Sequence, residues 1–279
     1  MSKVLNIQKL LETGAWSLKD VSSTASLDSI LILLHIIKKD KTFVLTYPDF
    51  VVTKLEYEKF NKLIDQRKKG VPVEYLINNK EFWGIDFFVN NSVLIPRPET
   101  ELIVEYLINK IKSSKKEVFR VLDLGTGSGC ISIALKSELK ERVNIDAVDL
   151  STDALKVAKL NAQNEKVKIN FFESNWFEGV KEKYDFIISN PPYVILDDPN
   201  NSINLKYEPS LALYSRDSGL ADIKNIITNN SFMKENGELL IEFGYNQKEI
   251  LEKYLALKKL NHFFIKDLAG IFRVVVIKY

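Results

Sequence analysis

Val121-Leu122-Asp123-Leu124-Gly125-Thr126-Gly127-Ser128-Gly129 is the stretch that decides the fold. An apolar strand runs into three glycines at alternating positions, and a helix is expected from about Cys130. Glycines at such a turn let the backbone approach a ligand closely and bend sharply into the helix. The spacing is Gly-x-Gly-x-Gly. The dinucleotide fingerprint, Gly-x-Gly-x-x-Gly, asks for a third glycine further on, and Ile131 and Ser132 stand there instead. That spacing places a nicotinamide dehydrogenase last among the candidate readings. A tight strand-to-helix turn without a ligand is the plain alternative.

Outward from this stretch the chain alternates strands and helices. Strands are expected at 118–124, 143–148, 167–172, 184–189, 237–242, 262–267 and 271–277, with helices filling most gaps. Alternation of this kind implies a mostly parallel sheet covered on both faces. Only Leu268, Ala269 and Gly270 separate the last two strands, too few for a crossover helix, so these two must pair antiparallel. The expected class is α/β, a doubly wound, mostly parallel, seven-stranded sheet. Its Rossmann-like architecture with a terminal antiparallel hairpin is that of class I methyltransferases, and the glycine stretch resembles motif I of the S-adenosylmethionine-dependent enzymes.

The second strand ends at Val148-Asp149. An acid at this tip can accept hydrogen bonds from ribose hydroxyls, or it can cap the helix starting near Ser151; the glycine loop upstream favours ribose. The third strand runs into Glu173-Ser174-Asn175-Trp176-Phe177. Residues at this edge flank the adenine in such folds, so Trp176 either packs against the base or is a core aromatic.

After the fourth strand comes Asn190-Pro191-Pro192-Tyr193. Two prolines fix the backbone and remove two donors. Carbonyl acceptors remain, the asparagine adds an amide oxygen, and an aromatic face follows. This set suits one task, holding a planar NH2 group while Tyr193 stacks on it. An amide or arylamine nitrogen is a poor nucleophile because resonance ties up its lone pair. Acceptors fixed in advance stabilise the positive charge that grows on it during attack. The plain alternative for Asn190, Pro191, Pro192 and Tyr193 is a proline turn, and the position after the fourth strand argues against it.

The first 75 or so residues read as helices. Leu27, Ile30, Leu31, Leu34 and Ile37 recur at helical spacing. A second helical stretch is expected from about Tyr47 to Lys68, with Leu55, Phe60, Leu63 and Ile64 on its apolar side, ended by Gly70 and Pro72. Residues 81–95 are rich in aromatic and β-branched residues around Asn90-Asn91 and read as a β-hairpin turning there. The expected organisation is a small helical domain, 1–76, a hairpin linker, 77–97, and a catalytic domain, 98–279.

Composition bounds the partners. The 279 residues carry 39 basic and 37 acidic side chains, a net charge of +2. A protein gripping a long nucleic-acid backbone usually has a larger basic excess. A single cysteine, Cys130, forms no internal disulfide and fits a reducing compartment. Two histidines and one cysteine do not assemble a usual zinc site, so no metal is expected. The apolar run at 30–37 is too short to span a bilayer, and no signal peptide is visible. The expectation is a cytoplasmic protein without membrane partners.

Within the amino-methyltransferases that share Asn-Pro-Pro-Tyr, the chain resembles the release-factor glutamine methyltransferases, which methylate the glutamine of the Gly-Gly-Gln loop in peptide chain release factors. The resemblance covers nearly the whole chain. Gly70-Val71-Pro72-Val73-Glu74-Tyr75-Leu76 and Glu81-Phe82-Trp83-Gly84 are similar to the family's linker signature. Leu94-Ile95-Pro96-Arg97-Pro98-Glu99-Thr100-Glu101 is similar to its most specific stretch, and Asp267-Leu268-Ala269-Gly270 with Arg273-Val274-Val275 to its terminal hairpin. The resemblance implies S-adenosylmethionine as cofactor, S-adenosylhomocysteine as product and a release factor as partner. It implies cofactor contacts at Gly125, Thr126, Gly127, Ser128, Gly129, Asp149, Trp176 and Asn190, substrate contacts at Asn190, Pro191, Pro192 and Tyr193, and docking by the helical domain. The chain departs from the family at Asn175, where aspartate is usual, and at Ser215-Arg216, where two glycines are usual. Arg97 and Glu99 fit either a functional role or an ordinary charge arrangement at a helix start, while Phe82 and Trp83 read as packing.

Two rivals share parts of this pattern. A DNA adenine methyltransferase shares motif and cofactor but would call for a base-reading module and a basic groove. A non-catalytic binding protein on the same scaffold would be expected to lose loop glycines or the asparagine, and all are present.

Overall fold

Strands that read as unbroken apolar runs need cover on both faces, and the computed structural model supplies it. The structure describes residues 5–196, 203–229 and 231–279; residues 1–4 of the expected helical domain lie outside them. Two compact units divide the chain, one drawn from residues 1–79 and 202–207, the other from 80–201 and 208–279.

Among its described residues the smaller unit holds the α-helices α1 (Ile7–Leu18), α2 (Ala25–Ile37), α3 (Lys41–Thr46), α4 (Lys54–Lys68) and α5 (Val73–Ile77). Their apolar faces meet in a core that includes Ile7, Leu10, Ile32, Leu33, Phe60 and Ile64. The helix expected from about Tyr47 begins later, at Lys54. Thr53 and Glu56 form a capping box that fixes the start. Residues 47–53 instead turn at Pro48 and carry a short bridge from Val51 to Asn6. Leu27 and Leu55, expected on apolar faces, are 46% and 60% exposed.

The larger unit opens with β1 (Lys80–Phe82) and β2 (Ile85–Phe87), an antiparallel hairpin. Its turn is Trp83-Gly84, both with positive φ, and not Asn90-Asn91. A two-residue turn with both φ positive matches the twist of paired strands. The Trp83 amide donates to Glu101 and the Gly84 amide to Glu81, which hold the turn. Val93, Leu94 and Ile95, the expected second strand of the hairpin, form no strand, and residues 88–97 are irregular apart from a turn at 91–92.

A short 3₁₀ turn, Pro98–Thr100, leads into α6 (Glu101–Lys112). Then follow β3 (Phe119–Leu124), α7 (Cys130–Leu139), β4 (Val143–Asp149), α8 (Thr152–Asn164), β5 (Asn170–Glu173) and β6 (Tyr184–Ser189). Short turns α9 (Ser210–Leu213) and α10 (Arg216–Gly219) precede α11 (Ala221–Thr228), β7 (Met233–Glu242), α12 (Lys248–Leu257), β8 (Asn261–Lys266) and β9 (Phe272–Lys278). All seven sheet strands fall where the sequence places them, to within a few residues. Their spatial order is β5-β4-β3-β6-β7-β9-β8. Five neighbours run parallel, and β9 alone runs against the rest. The order reverses between β3 and β6, the point where such sheets open a crevice at the strand ends.

Candidate active site

Parallel pairing of β3 with β6 aligns Leu124 with Ser189. The glycine loop therefore leaves the sheet beside the Asn-Pro-Pro-Tyr segment. Two carboxylates stitch the loop in place. Asp123, buried in β3, accepts from the hydroxyls of Thr126 and Ser132, each at 2.7 Å. Asp149, at the tip of β4, accepts from the Gly127 amide at 2.9 Å and from the Ser151 amide at 2.9 Å. The helix cap itself is Ser151, whose hydroxyl oxygen accepts from the Ala154 amide. Asp149 is thus a loop clamp at the edge of the crevice, and the cap reading of this residue falls away. Burial raises the pKa of Asp149 against the opposing pull of these amide donors.

The crevice is a cavity of about 490 Å³, within the range of small-ligand sites. Gly125, Thr126, Gly127, Ser128, Asp149, Trp176, Asn190, Pro191 and Pro192 all line it. Gly127 has φ +55°, and a Cβ added there would meet nothing within 4 Å. Its backbone therefore faces open space that a side chain would fill. Gly129 sits apart from the other loop glycines. It is not among the lining residues, and its φ of +81° and close approach to Ala158 seat α7 against α8. Trp176 lines the cavity and also packs on the sheet core.

Asn190 holds the most informative atom. Its Nδ2 donates to Thr100 Oγ1 at 3.1 Å, while its Oδ1 is buried without a hydrogen-bond partner. Buried acceptors are nearly always satisfied, so such an atom asks for a donor from a ligand. Tyr193 sits behind the wall. Its hydroxyl donates to Glu242 Oε1 at 3.0 Å, and its ring packs on the sheet core. Burial first, then the negative Glu242, pushes its pKa well up, so the phenol stays protonated.

Three contributions escaped the sequence reading. The 91–94 segment, read there as part of a hairpin, lines the cavity through Asn91, Ser92, Val93 and Leu94. Thr100, itself a lining residue, and Glu242 hold Asn190: the Thr100 hydroxyl donates to Glu242 Oε2 at 2.6 Å. Thr100 lies within the 94–101 stretch without being singled out there, and Glu242 lies in no quoted motif. Arg97 and Glu99 both make ion pairs, Arg97 with Glu208 at 2.5 Å and Glu99 with Arg273 at 3.6 Å. Among the described residues no group of three or more His, Cys, Asp or Glu is placed to hold a metal ion. No helix among them is long and apolar enough to cross a membrane.

The catalytic domain of hMettl16, solved in complex with a MAT2A 3′UTR hairpin, matches this fold with a TM-score of 0.55 at 16% identity, over 77% of this chain and 81% of that one. A methyltransferase from Pyrococcus furiosus matches with a TM-score of 0.51 at 18% identity, over 71% and 90%. The fold is that of a class I methyltransferase. Residues 99–204 match the family model of the methyltransferase small domain, and residues 9–77 that of the PrmC N-terminal domain. The release factor glutamine methyltransferases of Buchnera aphidicola subsp. Acyrthosiphon pisum and of Coxiella burnetii are 38% and 35% identical to the chain, which covers 91% and 99% of their lengths with 92% and 98% of its own. A bifunctional methyltransferase of Rickettsia bellii is 35% identical over 94% of this chain, which spans 52% of that longer protein. The chain belongs to the release factor glutamine methyltransferase family.

Proposed function

We propose that this protein transfers a methyl group from S-adenosylmethionine to the side-chain amide nitrogen of the glutamine in the Gly-Gly-Gln motif of peptide chain release factors. The observation that carries this reading is Asn190, which lines a ligand-sized cavity and whose buried Oδ1 has no hydrogen-bond partner. The chain's residues fit the cofactor. The open space over Gly127 accommodates close approach of a ligand to the backbone, Asp149 offers acceptor lone pairs to ribose hydroxyls, and Trp176 offers an aromatic face to the adenine. When bound, S-adenosylmethionine supplies an electrophilic methyl group on a sulfonium.

Asn190 Oδ1 accepts one N–H of the glutamine amide, and a backbone carbonyl of the Asn190-Pro191-Pro192 segment accepts the other. Both bonds strengthen as positive charge grows on nitrogen, so they favour the transition state over the ground state. Prior alignment of the amide adds to this. The nitrogen gains the methyl and gives up one proton to water, because its acidity rises as it is alkylated. No basic side chain is required. Residues 1–76 are assigned to docking the release factor, residues 77–97 to linking and residues 98–279 to catalysis. A substrate of this kind places the activity in the cytoplasm.

The test is incubation with labelled S-adenosylmethionine and either a release factor or plasmid DNA, with the labelled residue mapped by mass spectrometry. One methyl group on the Gly-Gly-Gln glutamine is expected, and none on a factor carrying Gln→Glu there. Methylated adenine in DNA with the factor untouched overturns the reading. Asn190→Ala should lower single-turnover rates by roughly a hundred- to a thousandfold and change S-adenosylhomocysteine affinity far less.

A further inference from the structure

The unpartnered oxygen of Asn190 faces away from Thr100 for a reason that lies two hydrogen bonds distant. Glu242, at the end of β7 and 1% exposed, accepts from the Thr100 hydroxyl at 2.6 Å and from the Tyr193 hydroxyl at 3.0 Å. A hydroxyl has one proton to give. Thr100 gives its proton to Glu242 and is left with lone pairs only, so the neighbour at 3.1 Å has to be a donor. Of the two ends of an asparagine amide, only Nδ2 donates. Oδ1 is thereby turned to the opposite side, where it is the orphaned acceptor.

We propose that Glu242 is a positioning residue that sets the direction of the Glu242–Thr100–Asn190 hydrogen bonds and so keeps the Asn190 oxygen presented to the substrate amide. Rotating the Asn190 amide by half a turn would bring Oδ1 against Thr100 Oγ1, two acceptors facing each other in a buried site. That state becomes favourable only if Thr100 reverses and donates to Asn190, and an ionised Glu242 prevents the reversal. The carboxylate is the one form that accepts from Thr100 and Tyr193 together. A carboxylic acid or an amide at this place carries a donor of its own, so one of the two hydroxyls must turn round. When Thr100 turns, Asn190 turns with it and the acceptor is withdrawn. When Tyr193 turns, the ring loses its anchor. The consequence for catalysis rests on the amide-methylating reading above; the geometry does not.

The groups facing Glu242 bear on its proton. Thr100 and Glu99 come from the turn before α6, Tyr193 from the segment after β6, Cys130 from the start of α7 and Arg273 from β9. Burial is the largest influence and Glu99 acts with it, against the two hydroxyl donors and Arg273; the outcome is a carboxyl pushed up to about 7. The ionised form is therefore lost in mild acid, which gives the relay a pH signature.

Thr100→Ser, Thr100→Val and Glu242→Gln in the full chain test it, by single-turnover methyl transfer to a release factor at saturating cofactor from about pH 5.5 to about pH 9. Thr100→Ser keeps the hydroxyl and should retain most of the rate. Thr100→Val and Glu242→Gln should lose roughly ten- to a hundredfold, with S-adenosylhomocysteine affinity within about twofold of the parent. The parent rate should fall by one proton below about pH 7, and Glu242→Gln should lack that limb. A purely structural role would leave the limb in place. Equal rates for Thr100→Val and Thr100→Ser, or a parent-like profile for Glu242→Gln, overturn the proposal. If the parent protein methylates no release factor, the functional reading fails on its own and side-chain amide NMR decides the relay. The Asn190 NH2 protons should contact the side chain at position 100 in the parent, and in Glu242→Gln either that contact or the Tyr193 hydroxyl's bond to position 242 should be lost; persistence of both overturns it.

Discussion

Single residues carry the cofactor assignment, and Gly127 carries most of it. Its amide is held by Asp149, its φ is +55°, and the space over its Cα is open. Gly127→Val puts a branched side chain into that space. It also forces a left-handed backbone on a residue that resists it, at roughly 1–2 kcal/mol. Calorimetric titration should show S-adenosylhomocysteine binding lost, while the melting temperature falls by only a few degrees, on the order of what this strain costs. Unchanged affinity would sink the assignment. The glycine loop, Asp149 and Asn190 were legible because each sits at a fixed offset from the end of an apolar strand. The separation of Gly129 from the other loop residues was not. Its neighbour Ala158 is brought to it by the packing of α8, which no local pattern records.

At the scale of elements, an ion pair ties α2 to α4 in the smaller unit. Arg67 Nε lies 2.7 Å from Asp28 Oδ2, and both residues are buried. The hydroxyls of Ser22 and Thr24 also donate to Asp28. Removing one partner of such a pair leaves an uncompensated charge in the core. Arg67→Ala should therefore destabilise this unit by roughly 3–5 kcal/mol. Urea denaturation followed at Trp16 measures it, and a midpoint equal to the parent's would refute it. Apolar periodicity found the two helices but misplaced the start of α4, because it registers only which residues share a face. The signal that fixes the start, Thr53 followed by Glu56, was present in the sequence as a capping pattern. The hairpin turn was likewise marked by Gly84, while Asn90-Asn91 is a turn outside any strand pair.

For the molecule as a whole, two buried acids give stability a definite slope with pH. Burial raises Glu242 to about 7 and Asp123 to about 6, the latter against its Thr126 and Ser132 donors and with the help of Asp149. Each binds a proton more readily folded than unfolded. Their contribution is fully present below the ordinary carboxylate values, 4.5 for Glu242 and 3.8 for Asp123, and is lost as pH rises through about 6 to 7. Asp185 has the opposite sign. Burial opposes its ionisation, but donors from Arg120, Lys116 and Lys234 outweigh it, so its contribution is lost only in stronger acid. The sheet-bearing unit should accordingly be more stable near pH 5 than near pH 8. Glu242→Gln should reduce that difference while impairing turnover. Denaturant melts at the two pH values, followed at Trp83 and Trp176, check this; a stability that rises with pH across this range contradicts it.

By itself the sequence determined the sheet, since seven apolar runs of strand length at helix-sized spacing allow little besides a doubly wound α/β fold. It also marked which strand ends border the cavity, because glycine spacing and consecutive prolines constrain the backbone locally. The tertiary structure alone decided how the asparagine is aimed. Thr100 is 90 residues from Asn190, and Glu242 is 142 from Thr100. Hydrogen-bond direction depends on which lone pairs and protons meet in space. Folding joins those atoms across three separate elements, and no spacing along the chain encodes the meeting.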